Sequence, residues 1–448
     1  MFVQRILGRH RKLLSSIMVS GAIKGFGALF TFLSFVAVAR ATSVQEFGRF
    51  SIAFSLATIL SFFLLGGQHR IVLKYFPKYL TINDEGASAR FALKLASRNL
   101  MKFIAAGALF SVITTLVAIW LGLEFSTKLP RAALLLTLCL AMLMAFAEFM
   151  SNYYRAKGSL AYGMLPRDII WRLLICIIFG VLLFDASGLQ FRANLVSSTE
   201  AISILACLLS LAIVSQVVGW IRSLRLPSGV PLERETEIRS DYRRSTAPFW
   251  GIALVWPVQS QIGVLVVGYL LGAADVGAYF SAQKLSGLLA IISVGINQAI
   301  APKISTAIAK ENFSELRHTF AISCIVGGVM SFSVFAAYAV LGDFLLGIFD
   351  PAYSKFHGVL LVLSLGHVVY NVSGPAALLL AFTGQERFVL AITTGAAILG
   401  TIAVCICTVL YGVYGTAGAV AATTLAWNLT FFYVAIRYLR STRKISNE

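Results

Sequence analysis

The sequence predicts an all-α integral membrane protein of about twelve transmembrane helices, arranged as two six-helix bundles related by a pseudo-two-fold axis along the membrane normal. Three observations predict it. The chain is too apolar to fold around a water-soluble core. Apolar runs of bilayer-spanning length recur from end to end. The basic residues fall on alternate sides of those runs.

Of 448 residues, 58% are hydrophobic and 12% charged, and the mean hydropathy is +0.84. Soluble domains run about 45–50% apolar and about 25% charged. With so few polar residues to cover the outside, lipid must be the solvent for much of the chain. The formal charge of +18 would suggest a nucleic-acid partner in a soluble protein. Here the charges sit in short segments between apolar runs, as cytoplasmic loops do, so no nucleic-acid partner is expected. Cys139, Cys176, Cys207, Cys324, Cys405 and Cys407 all lie inside apolar runs with no CxxC pair. Buried cysteine behaves as a small hydrophobe, so neither a disulfide framework nor a metal site follows.

A span needs about 20 apolar residues. Twelve segments qualify: 14–39, 47–67, 102–122, 131–153, 167–185, 199–221, 246–271, 277–301, 319–341, 357–382, 388–411 and 416–437. The first follows Arg5, Arg9, Arg11 and Lys12 as a signal peptide would, but Leu13 to Ala39 far exceeds the roughly 7–15 residues of a signal core. It reads as a retained span. With the N-terminus in the cytoplasm, the inner loops collect the large majority of the 37 basic residues. Only Arg40, Arg49, Lys128, Arg131, Arg192 and Lys355 fall outside, while Lys24 and Lys284 lie within spans. This bias predicts cytoplasmic termini.

An internal repeat divides the chain. Glu46-Phe47-Gly48-Arg49-Phe50-Ser51 joins spans 1 and 2, and Asp275-Val276-Gly277-Ala278-Tyr279-Phe280-Ser281 joins spans 7 and 8. Gly158 and Gly384 follow spans 4 and 10, and Gly188 and Gly415 precede spans 6 and 12. The three offsets agree to within a few residues, which suggests a duplicated six-helix unit. The expected organisation is a bundle over 1–222, a cytoplasmic linker over 223–245 containing Pro227, Pro231 and many arginines, and a bundle over 246–448. Parallel repeats of this kind place a substrate site between the bundles.

Two hairpins carry a family resemblance: Val38-Ala39-Arg40-Ala41-Thr42-Ser43-Val44-Gln45-Glu46-Phe47-Gly48-Arg49-Phe50, and Tyr411-Gly412-Val413-Tyr414-Gly415-Thr416-Ala417-Gly418-Ala419-Val420-Ala421, with Gly384-Gln385 before span 11. With them the chain resembles the polysaccharide transporters (Wzx-type O-antigen flippases) of the multidrug/oligosaccharidyl-lipid/polysaccharide exporter superfamily. The resemblance implies a V-shaped exporter architecture in a bacterial inner membrane. It implies alternating access that moves an undecaprenyl-pyrophosphate-linked oligosaccharide to the periplasmic leaflet for surface polysaccharide synthesis. Partners would be membrane lipids, a polysaccharide polymerase and a chain-length regulator. No cofactor is expected beyond a proton or sodium gradient. The drug exporters of the same superfamily share the architecture, so a drug/cation antiporter is the alternative.

Charges at membrane depth are expensive and mark function. Lys24, deep in span 1, is the sharpest candidate for contacting an anionic head group; the alternative is a lysine reaching for the interface. Lys284 on span 8 would be its counterpart, and Arg40 and Arg49 would form an outer rim or simply anchor the interface. Gln259 and Gln261 on span 7 would bond sugar hydroxyls or neighbouring helices. Arg70, with Gln68 and His69 at the end of span 2, would meet an incoming pyrophosphate. Glu148 is the best acid for ion coupling, or a partner for Lys24. Asp168 and Arg172 are spaced to pair at i, i+4. Pro257, and Gly374 with Pro375, interrupt spans 7 and 10 as hinges.

No G-x-x-x-x-G-K-[ST] or H-E-x-x-H motif occurs, so ATP does not drive the chain directly. A membrane-embedded glycosyltransferase or polymerase would need larger outer loops bearing catalytic groups. The tight outer loops argue against an enzyme.

Overall fold

The computed structural model describes residues 2–81, 86–120, 131–184, 195–225, 229–373 and 375–445, with side chains outside 2–21, 110–111, 114–120, 131, 302, 309 and 442–445. The helices are α1 (Phe2–Ala41), α2 (Val44–Leu64), α3 (Gln68–Leu80), α4 (Ala87–Trp120), α5 (Arg131–Ala156), α6 (Leu160–Leu165), α7 (Trp171–Leu183), α8 (Ser198–Arg225), α9 (Leu232–Leu270), α10 (Ala273–Gly287), α11 (Ala290–Ala309), α12 (Phe313–Gly347), α13 (His357–Ser373), α14 (Ala376–Phe382) and α15 (Glu386–Ile445). A π turn, Pro166–Ile170, joins α6 to α7, and a 3₁₀ turn, Pro351–Phe356, leads into α13.

Nine helices among the described residues are long and apolar enough to cross a membrane. One of them, α15, holds two spans, because Gly412 breaks it at φ 60°, ψ −143°. With α4 and the α6–α7 segment added, all twelve predicted spans have helical counterparts. Large side chains such as Leu211, Phe332, Val340 and Val409 stand more than 60% exposed. In water that would be a liability; in a bilayer it is the surface wetted by acyl chains.

Contacts divide the chain into two compact units, Ala22–Gln261 and Met1–Gly21 with Ile262–Glu448. In the first, α5 is central and packs on α2, α3 and α8. In the second, α13 is central and packs on α10, α12 and α15. The repeat extends to backbone detail. Gly158 (φ 91°) and Gly384 (φ 82°) each take the left-handed conformation after the fourth span of their half. There the amides of Ser159 and Gln385 donate to the carbonyls of Tyr154 and Leu380, each at 2.9 Å. This 6→1 closure ends a helix and requires a residue tolerant of positive φ. Both halves therefore stop the same helix by the same chemistry.

Two stretches expected as loops are helical. Residues 68–80 form α3, separated from α2 by Gly66 and Gly67 at φ 53° and 73°. Its buried Ile71, Val72, Tyr75, Phe76 and Tyr79 follow helical spacing. A Cβ at Gly67 would lie 2.6 Å from the Trp250 backbone nitrogen, so glycine is needed both for the turn and for the approach of α9. Gln68, His69 and Arg70 thus open α3 and do not close span 2. The polar segment 223–245 was expected as a loop linker. Instead α8 runs on to Arg225 and α9 starts at Leu232, so that segment is mostly helix.

The start of α9 docks on α3. Asp241 accepts from Lys78 Nζ and Tyr79 Oη, both at 2.7 Å, and the Tyr75 and Ser245 hydroxyls lie 2.8 Å apart. Tyr75 stacks near Tyr79 and Tyr242 with centroids 6.1 and 5.6 Å away. Aromatic area supplies most of this attachment, since exposed ion pairs contribute little.

Candidate functional site: a charged cluster within the first unit

Pro166 shapes the cluster. It lacks the amide donor an α-helix would use, and the chain continues through a π turn in which the Trp171 amide bonds the Pro166 carbonyl. Arg172 forms no ion pair with Asp168 among the described residues. The sequence expectation of that pair is corrected here. Asp168 instead accepts from Arg167 Nε at 2.9 Å and Lys24 Nζ at 2.6 Å.

Arg167 turns to Glu148 on α5 and forms a second ion pair. Glu148 Oε1 also accepts from Asn152 Nδ2 at 2.8 Å, and Asn152 Oδ1 accepts from Arg155 Nη1 at 3.4 Å. The charges run in one chain: Lys24, Asp168, Arg167, Glu148, Asn152, Arg155. Lys24 is 37% exposed and Asp168 13%. Glu148 lies eight residues from the end of α5 at Ala156, about 12 Å along the axis at 1.5 Å per residue.

Close helix approach makes this contact possible. A Cβ on Gly27 would lie 2.9 Å from the Asp168 carbonyl oxygen, so α1 rests directly on the π turn. Lys24, three residues earlier on the same face, then reaches the carboxylate. Arg172 stacks its guanidinium over Trp171 and Phe35, 4.4 and 5.7 Å from the ring centroids. Its Nη1 is buried with no hydrogen-bond partner among the described residues.

The other sequence candidates are dispersed. Lys24 and Glu148 belong to one network, yet the partner of Lys24 is Asp168 and not Glu148. Lys284 on α10 places Nζ 4.4 Å from the Phe280 ring centroid. Arg49 pairs with Glu46 one turn earlier, and Glu46 Oε2 accepts from the Ser198 amide at 2.7 Å, tying α2 to the start of α8. Arg40 ends α1 and Arg70 opens α3, both exposed. Gln261 is buried and accepts from Ser55 Oγ on α2 at 3.0 Å; Gln259, two residues earlier, is half-buried. Helix α9 runs on through Pro257. Pro375 sits at the start of α14, just after α13 ends, and Gly374 lies outside the described residues. Asn371 donates to the Leu289 carbonyl at 3.0 Å, where α10 gives way to α11. Arg167, the bridge between both acids, was missed by sequence reasoning. Its signal was Pro166 directly before a charged pair inside an apolar run.

Comparison with known proteins fits this architecture. The MatE family model matches residues 252–406, about a third of the chain. A multidrug resistance MATE family transporter of the MOP superfamily, solved in an inward-facing conformation, superposes with a TM-score of 0.69 at 15% identity, covering 96% of this chain and 99% of that one. A mutant of the Vibrio cholerae MATE transporter VcmN gives 0.60 at 13% identity, covering 96% and 98%. A MOP superfamily transporter from Pyrococcus furiosus gives 0.59 at 13% identity, covering 96% of each chain; its binding pocket is described as having reverse polarity, suggesting a different function. No curated protein matches the sequence. The chain therefore has the multi-pass, two-bundle fold of MATE transporters.

Proposed function

We propose that this chain is a secondary exporter working by alternating access, of the drug/cation antiporter kind, driven by a proton or sodium gradient. The charged cluster carries the reading. Two carboxylates, Glu148 within the span formed by α5 and Asp168 in the π turn leading into α7, share Arg167, and Asp168 also holds Lys24. Intramembrane ionisable groups mark ion and substrate pathways. Protonating Asp168 frees Lys24 and leaves Arg167 to Glu148, while protonating Glu148 leaves Arg167 to Asp168 alone; such a redistribution of pairs is the kind of coupling an antiporter needs. The MatE match over 252–406 supports the same branch.

One observation favours a second reading. Lys24, Arg167 and Arg172 outnumber Glu148 and Asp168 in the cluster, which suits an anionic cargo such as a lipid-linked oligosaccharide. Under that reading the protein serves surface polysaccharide assembly beside a polymerase and a chain-length regulator. Under both, the protein would act in a bacterial inner membrane, and the basic residues of alternate loops support cytoplasmic termini.

Proteoliposomes with an imposed pH or sodium gradient separate the two. Gradient-dependent movement of a cationic dye, abolished in Asp168→Asn and Glu148→Gln, is the expected result. Gradient-independent transfer of a short prenyl-pyrophosphate sugar, with no dye movement, would overturn the antiporter reading in favour of the flippase.

A further inference from the structure

A cleft of about 380 Å³ in the first unit is lined by Leu95, Asn99 and Phe103 of α4 and by Arg239, Tyr242, Arg243 and Thr246 of α9. It lies apart from the charged cluster. The lining residues recur every three or four positions, so one stripe of each helix faces the other across the cleft. We propose that it binds the phosphate head group of an anionic membrane lipid.

Composition along both helices sets the depth. On α4, Lys94, Arg98 and Lys102 give way to the apolar run that begins at Phe103. On α9, the polar stretch through Arg244 gives way to the run that follows Pro248. The cleft straddles both transitions, at the level where head groups meet acyl chains. Trp250 stands just below, its ring 5.7 Å from that of Phe103, as aromatic residues do at interfaces.

The chemistry matches a phosphate. No carboxylate lines the cleft among the described residues. Arg239 shares one contact with Glu235 at 3.2 Å and lies 5.2 Å over the Phe91 ring; Arg243 is exposed. Two guanidinium groups one helical turn apart suit a phosphate diester. Tyr242 lends its buried ring to the cleft wall and packs on Tyr75, with centroids 5.6 Å apart. Leu95 and Phe103 supply an apolar wall for the glycerol and upper acyl segments. Basic pockets at this depth suit anionic head groups.

The test uses the full chain in neutral detergent, with thermal unfolding followed during titration with dihexanoyl-phosphatidylglycerol, dihexanoyl-phosphatidylcholine or inorganic phosphate. Saturable stabilisation by the phosphatidylglycerol alone is expected. Arg243→Gln should weaken it about fivefold, and the Arg239→Gln/Arg243→Gln variant should abolish it. Because Arg243 is exposed, its single variant tests the site even if the double variant unfolds. Equal stabilisation by the phosphatidylcholine, or an unchanged response in Arg243→Gln, overturns the proposal. Saturation by inorganic phosphate at the same concentration would show a phosphate site and overturn the assignment to lipid. None of these outcomes depends on which cargo is transported.

Discussion

Removing Asp168 should disturb the first unit far more than removing its partner Lys24. The asymmetry follows from geometry. Asp168→Asn leaves Lys24 without a carboxylate, while Arg167 keeps Glu148. Lys24→Met leaves Asp168 still bonded to Arg167 at 2.9 Å. Breaking a buried pair from one side costs about 3–5 kcal/mol. Lys24 is 37% exposed, so water relieves part of that cost, and Asp168→Asn should come to about 2 kcal/mol once screening is allowed for. Lys24→Met should cost about 1 kcal/mol or less. The double variant removes both charges and should be milder than the sum by about 1 kcal/mol. Reversible unfolding in mixed detergent–SDS micelles gives all three values. Strictly additive costs, or Lys24→Met more damaging than Asp168→Asn, would refute the pairing.

Other consequences are simpler to measure. Gly27→Ala places a Cβ 2.9 Å from the Asp168 carbonyl oxygen and should cost about 1–3 kcal/mol in the same assay. Gly25→Ala meets nothing within 4 Å and should be neutral, or stabilising by up to about 1 kcal/mol through helix propensity. The hydrogen bond to Asp241 holds the Lys78 ammonium above its ordinary pKa. Its contribution is therefore full below the unfolded lysine value of about 10.4 and fades as pH rises through the higher folded value. Lys78→Met should lower the unfolding temperature slightly at pH 8, an effect of at most about 1 kcal/mol for so exposed a pair. At strongly alkaline pH it should make no difference. A gap between the two proteins that persists there would count against the assignment.

The fold class was legible because lipid imposes a coarse rule. Every span must be apolar for about 20 residues, and the loops must sort by charge. Those signals are local and survive without knowledge of any contact. The turn glycines Gly158 and Gly384 were legible for the same reason, since positive φ is a property of the single residue. Helix α3 was legible in principle, from the Gly66-Gly67 break and the spacing of Ile71, Val72, Tyr75, Phe76 and Tyr79. A polar stretch beside a span nevertheless reads as loop when only hydropathy is followed. The family branch was not settled by the hairpins, which are short and tolerant of many side chains.

Sequence by itself determined that this is a twice-repeated helical membrane protein with Lys24 and Glu148 among its few intramembrane charges. Only the tertiary structure decided what those charges do. Pairing depends on side-chain direction and interhelical distance: Asp168 is held by Arg167 and Lys24, while Arg172 lies over Trp171 and Phe35. The close seat of Gly27 on that turn is likewise a contact between residues far apart in the chain, which no local pattern encodes.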